Sequence, residues 1–221
     1  MIIEKESVLG KIWHKINVNN DLASQIKIHL NISDLLAILI ARNSRTIEEA
    51  EGIFQPKIKR LLPDPFHLRD MEKGVNRVIK AILNKEKICI FADYDVDGAT
   101  SSALLKNIFD ELGVDSFIYV PDRMTEGYGP RAASMKYIKN QAVSLVITVD
   151  CGSVAFEAIE YANEIGLDVI VIDHHLTIDQ MPNALAIINP NRLDEISEYK
   201  NLAAVGVSFL FAVGLCANLK K

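Results

Sequence analysis

Residues 88–102 read I-C-I-F-A-D-Y-D-V-D-G-A-T-S-S. The apolar run 88–92 has the length of one buried strand. Three carboxylates, Asp93, Asp95 and Asp97, follow at alternate positions before Gly98 opens a helix-like stretch. Like charges a few ångströms apart in a partly dry site repel by about 1–4 kcal/mol per pair. No cationic residue lies nearby in sequence, so a bound divalent cation is the economical way to hold the triplet together. Two more apolar runs end in the same manner, 144–149 on Asp150-Cys151-Gly152 and 168–172 on Asp173-His174-His175. In a parallel sheet all these ends share one edge, where open α/β folds bind ligands.

From residue 87 onward, strand-like runs (88–92, 116–120, 144–149, 168–172, and a short one at 186–188) alternate with helical periodicity at 99–112, 131–140, 154–165 and 202–219. That alternation predicts βαβ units, hence an α/β fold: a parallel sheet with helices on both faces. A small helical region, 1–86, precedes the α/β domain of 87–221. In it Ser33-Asp34 starts an amphipathic run, Thr46-x-x-Glu49 forms a capping box, and 71–83 returns to a helical period. The run 202–219 is the greasiest, but Gly206, Ser208, Gly214 and Asn218 interrupt it, which favours a core helix over a membrane span.

Composition narrows the class only a little. With 221 residues, 49% apolar content and 24% charge, the chain is an ordinary globular sequence. The net charge of −5 gives no electrostatic hint of nucleic acid, although an acidic site can mask a local basic groove. Cys89, Cys151 and Cys216 have no C-x-x-C spacing and read as reduced thiols of a cytoplasmic protein, with Cys151 a packing residue. The triplet from Asp93 imitates the start of an EF-hand loop, but a strand precedes it and the twelfth position, where a bidentate Glu belongs, is Leu104.

For Asp95, Asp97 and Asp150 the competing reading is a helix N-cap, and for His174 and His175 a satisfied core pair. A metal site favours oxygen ligands of Mn²⁺ or Mg²⁺, with an imidazole tilting the choice toward Mn²⁺. Two such ions suit in-line displacement at a phosphodiester. Residue chemistry by itself reaches metal-dependent phosphoester or phosphoanhydride hydrolysis and stops there.

D-Y-D-V-D-G-A-T-S, V-D-C-G and D-H-H, in this order on successive strands, resemble the DHH phosphoesterase superfamily, and within it the RecJ-type single-strand-specific exonucleases. Asp93, with Phe91 where other members carry a histidine, is the RecJ-like variant, and the segment from Pro121 to Gly129 is similar to the loop after the second strand. The resemblance implies removal of nucleotides from the 5′ end of single-stranded DNA in recombination and repair. It also implies roles. Asp93 and Asp95 with His174 would bind one ion, Asp97 the other, and Asp150 would bridge. His175 would contact substrate phosphate or act as an acid, and Asp173 would orient a histidine ring. Arg123 and Tyr128 would bind substrate. Asp150, His174 and His175 form the expected catalytic set.

The resemblance also sets an expectation of incompleteness. A fourth motif with a further ligand aspartate, a second domain and an oligonucleotide-binding fold are expected past Lys221, so residues 1–221 alone are expected to degrade DNA slowly or not at all. The alternatives are a small-substrate relative, cleaving short oligonucleotides or pyrophosphate, and a metal-binding remnant without activity.

Overall fold

A computed structural model describes residues 5–13 and 16–219. It separates into two units, Met1–Pro63 and Asp64–Lys221. In the first, β1 (Lys5–Glu6) and β2 (Ile12–Trp13) pair antiparallel. Helices α1 (Asn20–Leu30), α2 (Asp34–Asn43), α3 (Ile47–Phe54) and α4 (Ile58–Leu61) follow. Local chemistry starts the first three: the side chains of Asn19, Ser33 and Thr46 accept backbone N–H groups of the first turns. The expected capping box is altered in one bond, because the Glu49 carboxylate reaches back to the N–H of Arg45 rather than Thr46. Ile26, Ile40 and Ala50 anchor a small core of this unit's own.

The second unit is built on a five-stranded sheet in the order β4-β3-β5-β6-β7, every neighbouring pair parallel. A 3₁₀ turn, Pro65–His67, leads into α5 (Met71–Leu83). Then come β3 (Lys87–Ala92), α6 (Val96–Glu111), β4 (Ser116–Tyr119), α7 (Ala132–Lys139) and β5 (Val143–Val149). The remainder is α8 (Phe156–Glu164), β6 (Asp168–Ile172), β7 (Ala186–Ile188) and α9 (Ala204–Leu219). Alternation along the central strands sends Cys89, Phe91, Val146, Val169 and Val171 toward α7 and α8. Helices α5, α6 and α9 pack together on the other face. Both faces are thus covered, which is why these strands read as continuous apolar runs.

Two boundaries differ from expectation. Helical periodicity carries the lead-in region to residue 86, yet α5 belongs with the sheet, packing on β7 and α9, and the division falls after Pro63. Helix α6 begins at Val96 rather than 99, because Asp95 is its N-cap and accepts the N–H groups of Asp97 and Gly98. Helix α9 is largely buried in its unit, and among the described residues no single helix is long and apolar enough to cross a membrane.

The order of strands matters for function. From β3 the chain moves outward to β4, then returns across β3 to β5 and proceeds to β6 and β7. Connections therefore diverge at β3 and β5, and the carboxyl ends of these two strands form the switch point at which open α/β sheets bind ligands.

Candidate metal centre

At that switch point the three strand ends deliver their polar residues. Asp93 follows β3, Asp150 follows β5, and Asp173-His174-His175 follows β6. Oxygen or nitrogen atoms of Asp93, Asp95 and Asp150 lie within 4.8 Å of one another, and so do those of Asp150, His174 and His175. Asp150 is common to both groups. Its carboxyl oxygen Oδ1 is 3.3 Å from His174 Nε2 and 3.9 Å from His175 Nδ1. Asp97 joins through His174, whose Nε2 is 3.6 Å from Asp97 Oδ2.

The expectation groups His174 with Asp93 and Asp95; in the structure the carboxylates within 4 Å of its Nε2 are those of Asp150 and Asp97. The reason is topological. Strand β6 adjoins β5 and not β3, so its histidines meet Asp150, at the end of β5, directly.

Asp150 is the most constrained member. It is 2% exposed, its backbone is left-handed at φ 60°, and Oδ1 is buried without a hydrogen-bond partner, the nearby imidazoles being misaligned to donate. Burial, then the charges of Asp97 and Asp95, push its carboxyl up to about 7. An orphaned buried oxygen amid carboxylates and imidazoles is a donor set that fits a hard divalent cation. The helix-cap reading fails for Asp150, since α8 starts later, after Ala155.

For the other acids, capping and ligation coexist. Asp95 Oδ1 caps α6, and those N–H groups, Gly98 first, hold its carboxyl below the usual range. Asp97 accepts the N–H groups of Ala204 and Val205 at 2.7 and 2.8 Å, so it caps α9 from within the first turn of α6. Gly98 is required by proximity, because a Cβ there would lie 2.3 Å from the Asp93 carbonyl oxygen.

Asp173 is 1% exposed and works through its neighbours. Oδ1 accepts the N–H groups of His174 and His175 and sits 2.7 Å from His175 Nδ1, while Oδ2 accepts from Ser153 N. Burial alone would raise this carboxyl, but the bonds from His175 and Ser153 win and hold it at about 2. The Asp173 bond in turn raises the His175 imidazole to about 9, against the opposing effect of its burial.

The loop between β4 and α7 supplies the rim. Tyr128 donates its hydroxyl to the Asp150 carbonyl at 3.2 Å, with its ring edge-on to His175. Arg123 lies over the ring of Tyr94, 4.6 Å from its centroid. Cys151 is buried with its thiol pushed up by that burial, a packing residue as expected. The residues that sequence reasoning overlooks are Ser153, Asn189 and Asn191, which bond around the Asp173-His174-His175 turn. The available signal is Asn189-Pro190-Asn191 directly after β7, at the same edge of the sheet.

Comparison with known proteins follows the same residues. The DHH family, N-terminal domain, matches residues 87–220. Over 207 residues the chain is 34% identical to the single-stranded-DNA-specific exonuclease RecJ of Bacillus subtilis (strain 168), covering 94% of this chain and 26% of that protein. A crystal structure of exonuclease RecJ bound to manganese superposes with a TM-score of 0.64 at 30% identity, over 72% of this chain and 39% of that one. RecJ from Thermus thermophilus in complex with Mn²⁺ superposes with a TM-score of 0.71 at 24% identity, over 91% of this chain and 28% of that one, a likeness of fold. The chain thus spans well under half the length of each of these three relatives.

Proposed function

This chain belongs to the DHH family, and from that premise we propose that it holds Mn²⁺ or Mg²⁺ for phosphodiester hydrolysis on single-stranded DNA. The observation that carries the reading is the buried, unpartnered Asp150 oxygen, shared by two clusters of metal-competent side chains at the switch point of a parallel sheet. Asp93, Asp95 and Asp150 would hold one cation; Asp97, Asp150 and His174 would hold the other, with His175 beside it. Bound there, such cations supply neutralising charge to a phosphate and lower the pKa of an attacking water.

The chain's own residues do the rest. Asp150 presents one carboxylate to both clusters, held by its strained backbone and by its N–H bond to Ile172. Asp173, 2.7 Å from His175 Nδ1, favours the protonated imidazole, which suits donation to a phosphate oxygen or a leaving alkoxide. Arg123 offers a guanidinium to the phosphate backbone, and Tyr128 and Tyr94 offer half-exposed rings for stacking. We assign this activity to DNA recombination and repair in the cytoplasm, where the free thiols of Cys89, Cys151 and Cys216 stay reduced.

The test is release of nucleotides from a 5′-phosphorylated oligonucleotide in Mn²⁺, beside a dinucleotide substrate. Slow release from the single strand, lost in Asp150→Ala, is the expected result. Hydrolysis of the dinucleotide alone would reassign the substrate to small molecules, and hydrolysis indifferent to Asp150→Ala would overturn the assignment of the site.

A further inference from the structure

The two histidines at the end of β6 sit in a turn with no helix or strand of its own, yet none of its backbone polar groups is left open. The N–H groups of His174 and His175 both go to Asp173 Oδ1. Their carbonyls are taken from the other side: Asn191 Nδ2 donates to the His174 carbonyl at 2.6 Å, and Asn189 Nδ2 donates to the His175 carbonyl at 2.9 Å. We infer that Asn189 and Asn191 are positioning residues, a pair of side-chain amides that fix the His174-His175 turn so that both rings face Asp150.

The hydrogen-bond inventory of the two amides supports this. Asn189 is fully buried and uses both of its donor hydrogens and its acceptor oxygen inward. Nδ2 also donates to Ser153 Oγ at 2.9 Å, and Oδ1 accepts the N–H of Asn191 at 2.8 Å. Asn191 spends its second Nδ2 hydrogen on the Lys200 carbonyl. Ser153 closes the ring, since its N–H goes to Asp173 Oδ2. Asp173, Ser153, Asn189 and Asn191 thus form one connected set around the turn, drawn from the ends of β5, β6 and β7. A turn locked in this way aims its imidazoles before any cation arrives, which lowers the ordering cost of binding. The donors must be amides: a carboxylate of the same shape would set oxygen against oxygen at both carbonyls.

The proposal rests on the metal-centre reading, and its test is arranged to separate the two. Asn191 is only partly buried, so Asn191→Ala and the isosteric Asn191→Asp are the informative variants. Amide hydrogen exchange at His174 and His175 is measured in EDTA, and Mn²⁺ affinity by calorimetry, with Asp150→Ala alongside. Both Asn191 variants are expected to speed exchange at these two amides by about tenfold or more, and to weaken Mn²⁺ about 10- to 100-fold, with little change in melting temperature. Exchange and Mn²⁺ affinity like those of the parent in Asn191→Asp would overturn the proposal, because a mere packing role tolerates the isostere. If Asp150→Ala leaves Mn²⁺ binding intact, the metal-centre reading fails, and the exchange rates alone decide whether the amides fix the turn. Should Asn191→Ala lose its fold, Ser153→Ala, which removes an acceptor of the same set, is read in both assays with the same expectation and the same overturning result.

Discussion

Asp150 combines three unfavourable features in one residue: a left-handed backbone, near-complete burial, and carboxylates close by. Each is costly alone, the backbone by about 1–2 kcal/mol and the repulsion by a similar amount. Asparagine adopts the left-handed region more readily than most residues and carries no charge. Asp150→Asn should therefore stabilise the metal-free chain at pH 8, by on the order of 1–3 kcal/mol, while removing the gain in stability that Mn²⁺ confers. Denaturant melts in EDTA and in Mn²⁺ measure both effects, and a variant less stable than the parent in EDTA would contradict them. Most of this was legible at the level of residues, because an acid directly after an apolar run marks a strand end. The partnership of His174 was not. Which carboxylate a histidine meets depends on strand order, and the order β3-β5-β6 is a non-local fact that spacing along the chain does not carry.

Between elements, the acids of the site double as fasteners. Asp97 belongs to α6 but takes two N–H groups from the first turn of α9, one on each oxygen. An asparagine has one acceptor oxygen to offer there, and its NH₂ would face the second N–H. It also loses the negative charge that favours a helix N-terminus. Asp97→Asn is thus expected to cost about 1–2 kcal/mol in EDTA and also to weaken Mn²⁺. Unchanged stability would show that the α9 bonds are dispensable.

A second fastener sits at the opposite edge of the sheet. There Arg77 of α5 pairs with Glu86 and Asp168, and Glu86 also accepts from Ser144 and Asn84. Burial raises the Glu86 carboxyl, but the bonds from Ser144, Arg77 and Asn84 outweigh it and hold it at about 2. Because the folded value lies below the ordinary one, this stabilisation is complete above about pH 4.5 and disappears as pH falls toward 2. Glu86→Gln should lower stability by about 1–3 kcal/mol at pH 7 and make little difference near pH 2. A deficit of the same size at both pH values would contradict it. The helix periods of α5 and α9 were readable in sequence, whereas these ties join residues up to 108 positions apart and leave no local pattern.

At the scale of the whole chain, the site lies entirely within Asp64–Lys221, and the helical unit Met1–Pro63 has its own core. The α/β class was readable because covered parallel strands are apolar throughout, and the division after Pro63 was not, because α5 looks like its helical predecessors until its packing is known. Cation binding should therefore protect the second unit and leave amide exchange in residues 16–63 unchanged. The central claim is that Asp150 unites two clusters into one divalent-cation centre, and calorimetric titration of Mn²⁺ into the metal-free chain and into Asp150→Ala tests it most directly. The account predicts saturable binding by the parent, with a gain of about 2.7 kcal/mol in stability at a hundredfold excess over Kd, and loss of both in Asp150→Ala. Equal binding and equal stabilisation in the two proteins would contradict it.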